Sequence, residues 1–193
     1  MEISLNNSKI ISKTRVRTRF PLLSPQLVQF TGYHLVTQFL LPLAEFMNLL
    51  YKRIDGKMSG YNKVYVNNLQ DAVKIKRRCV TIDYPRVILS KGRLPNPQDL
   101  FVVSAEEGKI LFNWWDNSGT GKALPNDEVF IAVYCEALNR WRFKAECATR
   151  KSGRCKFYIP AFRDHEVHCY IGFRSADKVR TSNSMYAGMV KVL

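Results

Sequence analysis

Apolar positions change their spacing near residue 95, and that change divides the expected fold. Before it, Leu27, Phe30, Val36, Phe39, Leu40, Leu43, Phe46, Met47, Leu50 and Ile54 recur at intervals that largely fit one helical face. Ser24-Pro25 supplies a cap and a first-turn proline, while Pro42, which has no amide to donate, predicts a kink or break near Leu41. Asp55-Gly56 is the stop signal. A second helix is expected from a Ser59 cap through Tyr61, Val64, Leu69, Ala72, Val73 and Ile75. It would end in the basic run Lys74, Lys76, Arg77 and Arg78, whose cations suit a helix C-terminus. Residues 86–89 read as a short strand, and Gly92, Pro95 and Pro97 as the turn or linker after it.

Beyond residue 95 the runs are short, apolar or alternating: 100–105, 110–115, 129–136, 140–147, 155–159, 167–173 and 184–192. Turn signals at Glu107-Gly108, residues 117–121, Leu138-Asn139 and Ser152-Gly153 separate most of them. About seven such strands predict an antiparallel β-sandwich, so the expected class is α+β with an N-terminal helical segment. The expected organisation is a basic extended arm at 1–23, a helical region with a short strand at 24–95, and a β-sandwich domain at 96–193. Val167, Cys169, Ile171 and Phe173 share one face of their strand, which makes Cys169 a small core residue.

At 112–121 an aromatic strand with Phe112, Trp114 and Trp115 runs into a loop of turn-forming residues. Its Gly119-Thr120-Gly121-Lys122 is not a phosphate loop. Asp116 stands where the first glycine of that motif belongs, Ala123 stands where Ser or Thr belongs, and a strand rather than a helix follows. The segment reads as an edge-of-sandwich loop, with Asp116, Asn117, Ser118, Thr120 and Lys122 as candidate recognition residues.

Charge changes the functional picture. The chain has 193 residues, 46% hydrophobic and 12% aromatic, with a formal net charge of +14. Residues 1–95 carry 16 Lys+Arg against 5 Asp+Glu, whereas residues 96–193 carry 14 against 11. A positive field of that kind favours nucleic acid or another anionic macromolecule. Candidate phosphate contacts are Lys13, Arg15, Arg17 and Arg19 on the arm and Lys74, Lys76, Arg77 and Arg78 on the second helix, with little sequence specificity expected. The plainer account of the arm is a solvated basic tail or charge-protected edge strand. Within 140–144, alternation puts Trp141 and Phe143 on one face and Arg140, Arg142 and Lys144 on the other, predicting a core aromatic face and a basic outer strip.

Cys79, Cys135, Cys147, Cys155 and Cys169 form an odd set without a CxxC pair, so free thiols in a reducing compartment are the simplest reading. No secretory signal is apparent in the first residues, and the most apolar window, 35–50, is too interrupted to span a bilayer. A cytoplasmic protein is expected. His165, His168 and Cys169 make a poor metal set, because successive strand residues face opposite ways, and no cofactor or metal is expected. Enzymatic activity ranks last: no Gly-x-Ser-x-Gly elbow is present, and Glu106-Glu107 and Asp127-Glu128 read as solvated turn charges.

Several motifs carry a resemblance: Phe39-Leu40-x-Pro42-Leu43, the segment from Ile82-Asp83-Tyr84 to Ser90-x-Gly92-x-Leu94-Pro95, and Trp114-x-Asp116-Asn117-Ser118-Gly119-Thr120-Gly121. His168-x-Tyr170-x-Gly172-Phe173 and Ser182-Asn183-Ser184-x-Tyr186-x-Gly188 complete them. In combination they resemble an uncharacterised protein family of Bacteroidota, a domain of unknown function. The resemblance implies this organisation and a bacterial origin but no catalytic residues. Members commonly begin with a glycine-rich segment, whereas residues 6–14 here contain no glycine. The second half also looks like an immunoglobulin or fibronectin-type sandwich, with Trp114 on an early strand and Tyr170 on a late one. The leading expectation is a nonenzymatic interaction or assembly protein that contacts nucleic acid or another anionic macromolecule through its N-terminal half. The alternative is a protein- or glycan-binding sandwich using the 116–127 loop, and an enzyme of unknown reaction is third.

Overall fold

The computed structural model describes residues 25–50, 59–76 and 79–193. Helix α1 runs Pro25–Leu40, a 3₁₀ turn takes Leu41–Leu43, and α2 continues as Ala44–Leu50. The α ladder thus breaks at Pro42, where the amide is missing. Helix α3, Gly60–Asp71, starts on Ser59, whose hydroxyl accepts from the Asn62 amide at 3.2 Å.

Three expectations for this half are corrected. Helix α3 stops before the basic run, and Val73–Lys76 is instead strand β1, antiparallel to β2, Cys79–Ile82. Val73 and Ile75 are β-branched and alternate with lysines, so the period is two, and Asp83 N bonds Ala72 O at 2.7 Å to close the ladder. Residues 86–89 form no strand. Tyr84–Arg86 is a 3₁₀ turn, and the Asn68 side chain meets both Ile88 N (2.9 Å) and Ile88 O (2.6 Å), supplying what a neighbouring strand would. Phe30, expected on the buried helical face, is 67% exposed.

All seven strands expected beyond residue 95 are present: β3 Gln98–Glu106, β4 Lys109–Trp115, β5 Glu128–Cys135, β6 Arg140–Lys144, β7 Arg154–Tyr158, β8 Glu166–Arg174 and β9 Met185–Lys191. They pair antiparallel into two sheets, β3-β4-β7 and β6-β5-β8-β9, an immunoglobulin/fibronectin-like order. Between the sheets lie Phe112, Trp114, Ile131, Val133, Ile171 and Phe173 with their neighbours, and Cys169 is buried among them as expected.

The four-stranded sheet is buried on its other face too. Phe130, Ala132, Tyr134, Trp141 and Tyr170 pack beneath Val36, Phe39, Leu43, Phe46 and Met47 of the helical segment. Phe39 lies 4.8 Å from Tyr134 and 4.9 Å from Trp141 between ring centroids, and Trp141 Nε1 donates to Phe39 O at 2.8 Å. Double burial explains why 129–135 is apolar without interruption, as in a sheet covered on both faces. Close packing also requires glycine at 172, where a Cβ would sit 2.3 Å from Phe130 Cζ.

This layer changes the reading of two aromatic assignments. Trp141 and Phe143 point toward the helices, with Phe143 4.6 Å from Phe46, while Arg140, Arg142 and Lys144 lie on the sandwich side of edge strand β6. The basic strip therefore runs along the sandwich edge rather than over its outer face. Tyr170 likewise faces the helices, donating to Tyr84 O at 3.0 Å, while Trp114 faces the sandwich interior.

Candidate functional site

Alternation turns Phe101 and Val103 of β3, Leu111, Asn113 and Trp115 of β4, and Arg154, Lys156 and Tyr158 of β7 away from the sandwich core. No helical layer lies over this face among the described residues. Trp115 is 65% exposed, Tyr158 64% and Phe101 55%, values unusual for aromatics sharing one sheet face. Rows across the sheet run Phe101, Asn113, Arg154 and then Val103, Leu111, Lys156, so cations border the apolar strip along β7. Glu106 bonds both Lys109, at 2.7 Å, and Lys156, and these hydrogen bonds hold its carboxyl at about 2. Arg154 has no such carboxylate partner among the described residues. Asn113 Nδ2, in the row between Phe101 and Arg154, is buried without a hydrogen-bond acceptor among the described residues.

The 116–127 loop continues directly from Trp115. Asp116 accepts from Ser118 N at 3.0 Å and from Ser118 Oγ, and these bonds hold its carboxyl below the usual range. Gly119 and Gly121 adopt φ of +86° and +58°, the left-handed region that the loop's reversal needs. Of the five candidate recognition residues, Asp116, Thr120 and Lys122 are exposed and Ser118 is half-buried. Asn117 is buried and serves as an anchor. Its amide donates to Asn96 O at 2.9 Å and its Oδ1 accepts from Arg150.

Arg150 was not foreseen as a functional or structural residue, and it organises this end of the molecule. Its fully buried guanidinium lies 3.8 Å from the Phe173 ring centroid and donates to Asp127 Oδ2 at 3.0 Å, to Pro95 O at 3.1 Å and to Asn117. Its carbonyl accepts from Trp114 Nε1 at 2.8 Å. A second buried arginine, Arg174, donates to Glu128 at 2.6 Å, to Glu146 at 2.7 Å and to Leu49 O at 3.1 Å, joining the sheet to α2. Asp127 and Glu128 are therefore not solvated turn charges. Asp127 immediately precedes β5 and pairs with Arg150, and Glu128 opens the strand opposite Arg174 in the register. A charge at each matching end of two otherwise apolar strands was the available signal.

The N-terminal candidates divide differently. Lys13, Arg15, Arg17, Arg19, Arg77 and Arg78 lie outside the described residues. Lys74 lies on β1 rather than a helix end, and its Nζ is 2.5 Å from Asp83, which Arg86 also approaches at 3.3 Å. Lys76 occupies the last position of β1.

The polar groups under the helices form a packed aromatic cluster. His168 stacks on Tyr84 with centroids 3.9 Å apart, and its Nδ1 lies 2.9 Å from Tyr186 OH. Burial pushes the imidazole down to about 4 and the Tyr134 phenol up to about 12, so both are neutral near pH 7. Cys169 points to the opposite face of β8, within the sandwich. Among the described residues no three His, Cys, Asp or Glu side chains converge as a metal site, and no helix is long and apolar enough to cross a membrane.

The fold and this surface define a helix-covered β-sandwich that leaves one aromatic-basic sheet face open. The chain belongs to a family of unknown function, DUF6266, whose model matches residues 7–188. No curated protein matches it. Among solved structures, the fn3 domain of human collagen alpha-1(XX) chain is 11% identical, covering 54% of this chain and 90% of that one at a TM-score of 0.40. The fn3 domain of human contactin 1 is 12% identical, with 54% and 83% covered at 0.36. A family 76 glycoside hydrolase from a bovine Bacteroides thetaiotaomicron strain is 14% identical at 0.40, and the match covers 51% of this chain but only 20% of the hydrolase.

Proposed function

We propose that this chain is a nonenzymatic interaction or assembly protein that binds an anionic macromolecule, with single-stranded nucleic acid as the partner. The observation that carries the reading is the open face of β3-β4-β7, where Trp115, Phe101 and Tyr158 stand exposed beside Arg154 and Lys156. Exposed aromatics stack on bases at about 1–3 kcal/mol each, and neighbouring cations meet phosphates, a combination suited to unpaired strands. The segment that includes β6 and β7, residues 140–163, contains 8 Lys+Arg and a single carboxylate, Glu146. The net charge of +14 also favours a polyanion over a second copy of the chain. Lys13, Arg15, Arg17, Arg19, Lys76, Arg77 and Arg78 would extend the phosphate contacts, whereas Lys74 already engages Asp83.

The anchored 116–127 loop favours a second reading, a protein or glycan ligand held by Asp116, Ser118, Thr120 and Lys122. Fluorescence titration of the full chain with mixed-sequence single-stranded RNA, single-stranded DNA and duplex, across a salt series, tests the first. Single strands should bind more tightly than duplex, with quenching of tryptophan emission and affinity that falls as salt rises. Absence of single-strand binding at low salt, or binding unchanged in Trp115→Ala and Tyr158→Ala, would leave the loop reading in place. We also propose a cytoplasmic location and a Bacteroidota origin, on the charge, the thiols and the motif resemblance.

A further inference from the structure

Two side chains leave a buried polar atom without a hydrogen bond among the described residues, Asn113 at Nδ2 and Asp127 at Oδ1. Asp127 is compensated at its other oxygen, which accepts from Arg150 Nε at 3.0 Å and from Leu124 N at 2.9 Å. Asn113 differs in its place: it lies in β4, on the face of β3-β4-β7 turned away from the sandwich core. A buried amide donor is almost always paired, because an unpaired one has given up its water without return. Holding one on an open sheet face calls for an acceptor from outside the chain.

The neighbours of Asn113 define what that acceptor belongs to. Phe101 stands directly across from it on β3 and Arg154 directly across on β7, each strand about 5 Å away, and Trp115 lies two residues further along β4 on the same face. Phe101 and Trp115 are mostly exposed, and so is Arg154. We infer that Asn113 is the base-reading residue of this face, its amide pairing with the edge of an adenine in a single strand whose bases stack on Phe101 and Trp115. This rests on the single-stranded nucleic acid reading given above and adds to it a preference among bases.

An asparagine amide carries a donor and an acceptor side by side, and adenine presents the matching acceptor at N7 and donor at N6. In a single strand the N1 edge of adenine is free as well, so the base matches the amide on two edges. Asn113 is half-buried, and half a turn about its Cβ–Cγ bond, a broad and roughly two-fold torsion, brings the buried donor outward. The division of work on the face follows. Arg154 and Lys156 meet phosphates, which carry no sequence information, whereas the contact made by Asn113 differs from base to base.

Fluorescence anisotropy of the full chain with two end-labelled single strands of about 12 nucleotides, one alternating cytosine with adenine and the other cytosine with uracil, tests this. The adenine strand should bind roughly 5- to 150-fold more tightly, the discrimination that one bidentate pair provides. Asn113→Leu should lose most of that preference. It should also unfold in urea at the same or a higher concentration than wild type, because leucine removes an unpaired buried donor without breaking any bond to it. Equal binding of the two strands by wild type, or a preference that Asn113→Leu retains, overturns the role of Asn113 and leaves the single-strand reading standing. A clear loss of stability in Asn113→Leu assigns the amide to the fold and overturns that role as well. Absence of binding to either strand at low salt removes both readings together.

Discussion

The two sheets of this sandwich are built from strands of similar length, yet one is buried on both faces and the other on only one. In β6-β5-β8-β9 the outward residues are Phe130, Tyr134, Trp141 and Tyr170, and α1 and α2 cover them. In β3-β4-β7 the outward residues include Phe101, Trp115 and Tyr158, which remain open to solvent. The difference shows that aromatic content does not distinguish core from surface in this chain. What distinguishes them is the company each aromatic keeps. Under the helices, Trp141 Nε1 has Phe39 O as an acceptor, and the neighbouring rings are buried against one another. On the open face, aromatics alternate with Asn113, Arg154 and Lys156, which a dry interface would leave costly to cover.

The largest effect should come from removing the ring that joins helices to sheet. Trp141→Ala deletes contacts to Phe39, Tyr134 and Tyr170 and leaves Phe39 O without its donor. The expected loss is about 3–5 kcal/mol, read from urea unfolding by circular dichroism. A loss as small as that of a surface change would break the distinction between the two sheets. Next is Arg174→Met, which strands Glu128, leaves Glu146 with Lys178 alone and unties Leu49 O from the sheet. Water reaches Glu146, so about 2–3 kcal/mol is expected rather than the full cost of an isolated buried charge. Neutralisation of charge on the rim, Glu146→Gln, should cost a fraction of that in the same assay.

How far these contacts were legible follows from what a sequence pattern encodes. The seven strands were readable because turn residues punctuate them and each run is short. That the helices would cover one sheet was not, even though 129–135 carries apolar residues at both parities, because periodicity tells how many faces are buried and not what buries them. The β1-β2 hairpin was masked by helical spacing that continues through Ala72 and Val73, and its pairing with residues 79–82 was the deciding fact. Asp116 to Gly121 was correctly a loop, but Asn117 as its anchor depended on Arg150, which lies far along the chain in another connection. Buried arginines of this kind leave only a weak trace, a charge where an apolar strand begins or ends.

A smaller effect tests whether the covered face is as dry as its packing implies. The His168 imidazole has a folded value near 4, below the ordinary 6.5, so the unfolded chain takes up the proton first. Stability is therefore intact above pH 6.5, falls as pH drops from there, and levels off near 4, a contribution of about 1–3 kcal/mol after allowance for partial solvent access. Chemical denaturation at stepped pH should show that slope, and His168→Phe, which keeps a ring against Tyr84, should flatten it. Persistence of the slope in the variant would assign it to other groups.

The smallest stability change is expected at Trp115, and it is the most informative for function. Trp115→Ala removes a ring as large as that of Trp141, but this ring is 65% exposed and has no packed layer above it among the described residues, so unfolding should shift by no more than about 0.5 kcal/mol. Single-strand affinity should nevertheless fall by roughly 5- to 150-fold, the range that loss of one stacked base at about 1–3 kcal/mol implies. The pair of measurements separates two causes that a binding assay alone confuses, since a destabilised protein would lose both together. If Trp115→Ala costs as much stability as Trp141→Ala, the open face is a structural surface in contact with another part of the chain, and its aromatics have the same work as those beneath the helices.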